Sequence, residues 1–356
     1  MTRPIRATIR PASLRENLAL ARRLAPAARQ MAVIKANAYG HGLLRAAHAL
    51  RDADGFAVLD LAAAVCLRNA GFVQPILLLE GFFDAAELPV IARERLCVVV
   101  HCEEQMQMLL GSRNVERIAV FLKLNSGMNR LGFDPVRLPD LLARLRGVRQ
   151  VGEITLMTHF ANADDELGIG WQLQRFDAAA HGLDMPVSLA NSATLLRHPH
   201  AARGWARIGL MLYGASPLQE RSAADIGLRP ALTLESRLIA VRDLATGERV
   251  GYGGTYTAQR PLRMAVVACG YADGYPRHAP TGTPVVVAGR RVPLIGRVSM
   301  DMLCVDVSEV PDAAVGTPAV LWGEGLPVEE IAAAAETIPY ELLCALAPRV
   351  PVEEID

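Results

Sequence analysis

The stretch AVIKANAYGHG (32–42) decides how this chain is read. Apolar residues lead into Lys35, and the sequence then turns abruptly to small residues, Tyr39 and two glycines flanking His41. A short apolar run bounded by such residues reads as a buried strand. It would carry an ammonium group straight into a glycine-rich loop. A lysine there is costly unless it is paired or has chemistry to perform.

Outward from this strand the same pattern repeats. After a strand-like RATIR near the N-terminus, Ser13 and Glu16 have the spacing of a capping box opening a helix. β-rich runs follow at MAVIK (31–35), GFAVL (55–59), PILLL (75–79), CVVV (97–100), IAVFLKL (118–124), GEITLMTH (152–159), PVSLA (186–190) and WARIGLMLY (205–213). Helical patterns such as LAAAVCLRNAG, DAAELPVIARERL and LPDLLARLRGV lie between them. Eight strands alternating with helices fit a parallel sheet, most economically a closed (β/α)8 barrel, with a doubly wound open sheet as the rival. After Leu228 the helical patterns nearly vanish. Short β-branched runs punctuated by Gly and Pro take over, with two late helices at VEEIAAAAE and YELLCALA. The chain is therefore α/β, with a barrel over 1–228 and a mainly antiparallel β domain over 229–356.

The 37 basic and 37 acidic residues balance, without a like-charge block, which argues against nucleic-acid and anionic-membrane partners. No apolar stretch approaches a bilayer span, and the charged N-terminus lacks the apolar run of a secretory signal. The six scattered cysteines form no CxxC pair, so free buried thiols in a reducing cytoplasm are expected, with no metal site. A small-molecule ligand is the expectation.

Barrel chemistry occurs at the carboxyl ends of the strands. Lys35 would lie there, suited to form a Schiff base with a carbonyl cofactor or substrate. If the carbonyl belongs to pyridoxal phosphate, the late barrel loops must hold a phosphate. Ser192 in LANSA, and Gly209 and Leu210 in ARIGLMLYG, offer a hydroxyl and backbone N–H groups for that purpose.

Taken in order, AVIKANAYGHG, LKLNSGMNRLGF, MTHFANAD, ANSA, RIGLMLYG, GYGGTYTA, GYADGYPR, GRVSMDM and TIPYELLCALAPRVP resemble blocks of the bacterial alanine racemases. That resemblance covers about residues 2–352 and implies a pyridoxal 5'-phosphate enzyme, a barrel followed by a β domain, and a homodimer acting on alanine. It implies Lys35 as the cofactor lysine and first base, and Tyr252 of the partner subunit as the second. Tyr39, Ser192, Gly209, Leu210 and Tyr340 resemble phosphate contacts. Arg207 resembles the residue facing the pyridine nitrogen, and His159 one stacked beside the ring. Arg130 and the partner's Met300 resemble substrate-carboxylate contacts. Lys123 matches a lysine that many relatives carbamylate, and a carbamate would relieve its repulsion with Arg130. Tyr271, together with Tyr275, would shape the access channel, and Asp164, Arg277, Arg297 and Ile338 match the family's substrate corridor. Tyr213, in an apolar run, reads as structural. One departure is the helix DLAAAVCLRNAG, where relatives often carry acidic residues.

The resemblance leaves alternatives open: a serine or broad-specificity racemase, a decarboxylase on the same scaffold, or a non-catalytic pyridoxal-phosphate-binding protein. A decarboxylase would be expected to lack the pyridine-facing arginine of RIG. The binding proteins resemble the barrel alone, against which GYGGTY and GRVSMDM argue.

Overall fold

The computed structural model describes residues 3–112 and 115–355. The eight expected barrel strands are present, at Arg29–Val33, Gly55–Val58, Ile76–Leu78, Cys97–Val100, Ile118–Lys123, Val151–Met157, Val187–Ser188 and Trp205–Ile208. The first seven pair in parallel, each with the next in sequence, and the first also pairs with the last, Met31 lying opposite Arg207. They read as continuous apolar runs because helices cover the outer face of such a sheet. The remaining seam, between the seventh and eighth strands, is closed by a bridge of Ser188 with Gly204 and by the Arg207 N–H donating to Ala190 O at 2.8 Å. The seventh strand is only two residues long, and its Ser188 carbonyl accepts both the Thr158 N–H at 3.2 Å and the Arg207 side chain at 2.8 Å.

The second domain is a small antiparallel barrel. The long strand Leu232–Leu244 pairs with Pro318–Trp322 through its first half and with Leu262–Val267 through its second, so the sheet returns on itself. Arg6–Ile9 lies beside Leu232–Leu244 and pairs with Val352–Glu354 on its other side. The N-terminal strand thus belongs to the second sheet, although the composition break had put it with the barrel. The two late helices run over Val328–Ala334 and Pro339–Cys344.

Two local expectations are corrected. The first helix, Pro11–Leu24, begins after Arg10, which makes no side-chain cap, and Ser13 is buried inside it. Pro11 starts the helix instead, its fixed φ and missing N–H suiting the first turn. Tyr275 is fully buried against Trp322, with ring centroids 5.8 Å apart, and so belongs to the β-domain core and not to an access channel.

A buried carboxylate fastens the parts that flank the site. Asp273 accepts both terminal nitrogens of Arg3 at 2.6 and 3.0 Å, Arg349 Nε at 2.8 Å and the Gly270 N–H at 3.0 Å. The same loop binds the backbone beside Met300, through Tyr271 N to Ser299 O and Ala272 N to Met300 O.

Candidate active site

Lys35 lies two residues beyond the first barrel strand. The loop after it is a turn of left-handed helix: Ala36, Asn37 and Ala38 have φ/ψ near +52/+50, +53/+42 and +53/+49, and Tyr39 has φ +49. Left-handed helix costs L-residues about 1–2 kcal/mol each, so surrounding contacts must impose it. Gly40 follows at φ +79, and a Cβ there would fall 2.3 Å from Leu343 O. The turn is therefore pressed against the helix that carries Tyr340.

Lys35, Tyr39, Lys123, Arg130, His159, Ser192, Arg207, Gly209 and Tyr340 line one cavity of about 850 Å3 at the barrel mouth. Ile338 lines it too, as does Cys344, which is exposed, unlike the buried Cys269. Of the lining side chains four are Lys or Arg and one, Glu80, is a carboxylate, so the cavity is built for an anion.

One end suits a phosphate. The Gly209 N–H donates to Ser192 Oγ at 2.9 Å, and a Cβ on Gly209 would come 2.8 Å from the Tyr39 hydroxyl. A phenol, an alcohol and a backbone amide thus share a space that any larger residue at position 209 would fill. Tyr340 closes the far side, its ring centroid 5.7 Å from that of Tyr39. Burial, then Tyr340 and Cys344, raises the Tyr39 pKa, while burial and then Asp164 push Tyr340 up to about 12. Both phenols are neutral donors. These groups fit the phosphate of pyridoxal 5'-phosphate, with Lys35 available for its aldehyde. Leu210 is buried but does not line the cavity with Gly209.

Arg207 forms the floor. Nη1 donates to Ser188 O and Ser188 Oγ at 2.8 and 2.7 Å, and Nη2 to Thr158 O at 2.8 Å and His159 Nδ1 at 3.3 Å. His159 can accept because burial, then Arg207 and the neighbouring cations, holds its pKa well below the usual imidazole range. Burial lowers Arg207 only to about 10, leaving it charged.

Gln172, which sequence reading missed, ties two of these loops together. Fully buried on the helix Gly170–Ala179, it accepts the Ala161 N–H at 2.7 Å and donates to His159 O at 3.2 Å and Ser126 Oγ at 3.3 Å. It thus links the His159 loop to the segment leading to Arg130. A solitary glutamine in a helical pattern gives no signal of that. Glu80 and His101 were missed as well; each is a single polar residue just past a strand end.

Lys123 is buried, and its pKa is lowered to about 8 by burial first, then by Arg207 and Arg130, with Glu80 opposing. Other expected residues do not line this chain's own cavity: Tyr252, on a turn at Tyr252–Gly254, and Met300 are 70 % and 52 % exposed, Tyr271 is 38 % exposed, and Arg297 lies against the Tyr252 turn. Asp164 and Arg277 are likewise exposed and outside the lining, although Asp164 acts electrostatically on Tyr340.

Comparison with known proteins agrees with this architecture along the whole chain. Residues 9–217 match the family profile "Alanine racemase, N-terminal domain", and residues 231–354 match "Alanine racemase, C-terminal domain". The chain is 58% identical to the alanine racemase of Nitrosospira multiformis, covering 98% of this chain and 99% of the relative. The crystal structure of a biosynthetic alanine racemase from Pseudomonas aeruginosa superposes with a TM-score of 0.97 at 49% identity, both chains being covered completely. The structure of an alanine racemase from Acinetobacter baumannii gives 0.94 at 36% identity, over 99% of this chain and 100% of the other. With its barrel, its β domain and the spacing of its mouth residues accounted for, this chain belongs to the alanine racemase family.

Proposed function

We propose that this chain interconverts L- and D-alanine with pyridoxal 5'-phosphate, using Lys35 on one face of the substrate and Tyr252 of a second copy of the chain on the other. The observation that carries the reading is the cavity itself: Lys35 shares it with a phosphate-sized cradle and an excess of fixed cations, while Tyr252 stands exposed elsewhere on the same chain. The cofactor, when bound, supplies a conjugated ring that delocalises the electron pair left at Cα.

The protein's own residues do the rest. A base fixed on one face returns a proton to the face it came from, so inversion needs a second group opposite. Lys35 Nζ takes or returns the proton on one side; on the other the Tyr252 oxygen takes it as phenolate or returns it as hydroxyl. Arg130 holds the substrate carboxylate, assisted by the partner's Met300. Tyr39, Ser192, Gly209 and Tyr340 hold the phosphate. Arg207 is donor-only and charged, so it cannot keep a proton on a ring nitrogen as a carboxylate would. That restrains electron withdrawal and disfavours transamination. Tyr271, Asp164, Arg277 and Arg297 line the route across the two chains. No helix of the described residues is long and apolar enough to cross a membrane. A cytoplasmic location fits the six free cysteines.

Lys123 is read as carbamylated. At pH 7 an amine titrating at about 8 is roughly one-tenth neutral, against roughly three in ten thousand at the ordinary lysine value, and carbon dioxide reacts only with the neutral amine. Because the pKa is depressed in the folded state, the burial penalty is full below pH 8 and is relieved as pH rises from there toward the unfolded value. Added bicarbonate is therefore expected to raise kcat/KM at neutral pH, and native mass spectrometry to show one carbon dioxide per chain, with both responses lost in Lys123→Met. An unmodified lysine at saturating bicarbonate would contradict this.

Polarimetry of L-alanine with pyridoxal-loaded protein tests the function. Rotation should decay to zero with alanine conserved. Unchanged rotation, or faster decay of L-serine, would redirect the substrate assignment.

A further inference from the structure

The left-handed turn at 36–39 sets where Lys35 and Tyr39 stand, yet three of its four residues have no intrinsic preference for that conformation. What imposes it is found behind the cavity. His41 is completely buried, and its Nδ1 lies 3.1 Å from Ala38 O and 2.8 Å from Tyr39 O, so Nδ1 carries the proton and donates to the last two carbonyls of the turn. His41 Nε2 is buried without a partner, tolerable for a bare lone pair and expensive for a charged N–H. Burial accordingly depresses the imidazole to about pH 4, and the ring is neutral at working pH.

Tyr213 braces the same unit from the other side. Its ring lies 4.6 Å from His41 and stacks on Tyr39 at 4.7 Å, while its hydroxyl donates to Val33 O at 2.8 Å, two residues before Lys35. The turn is thus held at the strand end, at its ring and at its last carbonyls. None of these groups is needed to keep the barrel strands paired.

We infer that His41 is a positioning residue for the cofactor site, clamping the left-handed turn through Nδ1 with Tyr213 as its brace so that Lys35 and the Tyr39 hydroxyl are set before any ligand arrives. The inference rests on the cofactor reading above. A preset turn raises ligand affinity because binding need not order it.

The test compares three variants by titrating apoprotein with pyridoxal 5'-phosphate, alongside kcat and KM for alanine. His41→Leu keeps the volume but loses the donor. His41→Asn places an amide N–H the same number of bonds from Cβ as Nδ1. Tyr213→Phe removes one hydroxyl only. For His41→Leu the cofactor dissociation constant is expected to rise about tenfold or more, with kcat falling and KM for alanine nearly unchanged, since Arg130 is untouched. His41→Asn should recover cofactor affinity to within about threefold of wild type. If His41→Leu does not fold, Tyr213→Phe gives the reading, with an expected loss of about threefold to tenfold. Cofactor affinity and kcat unchanged in His41→Leu, or in Tyr213→Phe where that variant is the reading, would overturn the inference. So would a loss in His41→Asn equal to that in His41→Leu, which would mark a merely structural role. Wild-type protein that takes up no pyridoxal 5'-phosphate would instead sink the cofactor reading and this one with it.

Discussion

Lys35→Ala is expected to lower kcat for alanine by at least about ten-thousandfold in both directions. One substitution removes the proton carrier on one face and the amine that would join the cofactor. The phosphate cradle does not depend on its side chain: Tyr39, Ser192 and Gly209 meet one another directly. The variant should therefore still take up pyridoxal 5'-phosphate, more weakly, and fold with an unaltered melting temperature. Spectrophotometric titration together with a coupled D-alanine assay checks both halves. Racemisation within about tenfold of wild type would remove Lys35 from the chemistry.

Tyr252→Phe is expected to slow racemisation by about a thousandfold, and its signature is asymmetry. With only Lys35 left, α-proton exchange with solvent can proceed on the face that Lys35 serves, without inversion. In deuterated water one enantiomer of alanine should then gain α-deuterium much faster than it racemises, and the other should gain almost none. The exposed Tyr252 side chain contributes little packing within its own chain, so stability of the isolated fold should hardly change. Equal exchange of both enantiomers would mean that another group serves the second face.

The barrel was legible because its strands are buried on both sides and so read as continuous apolar runs, CVVV and PILLL among them. The composition break at Leu228 likewise marked the change to antiparallel strands, whose period and turn residues differ. Long-range pairing left no such trace. Nothing in RATI distinguishes a strand that joins Leu232–Leu244 and Val352–Glu354 from one that opens the barrel.

At the site, Lys35 stood out because an ammonium is unusual past a buried strand, whereas Arg207 was assigned through the family resemblance. The left-handed turn did not, because Ala36 and Ala38 carry no mark of positive φ; contacts with Tyr213, His41 and the Tyr340 helix impose it. Ser13 misled for the converse reason. Its local spacing fitted a cap, but Pro11 had already begun the helix. Gln172 and His41 work only through partners distant in sequence or folded back on the turn, which no pattern along the chain displays.

The claim that the site is shared between two chains is tested most directly by mixing. Lys35→Ala and Tyr252→Phe proteins, each nearly inactive, are unfolded together and refolded, or coexpressed, and assayed for alanine racemisation. If each site takes Lys35 from one chain and Tyr252 from the other, every hybrid dimer holds one doubly altered site and one intact site. Random assortment should then restore about a quarter of wild-type activity. If both bases came from the same chain, no assortment could rebuild a site, and the mixture would remain as inactive as its parents.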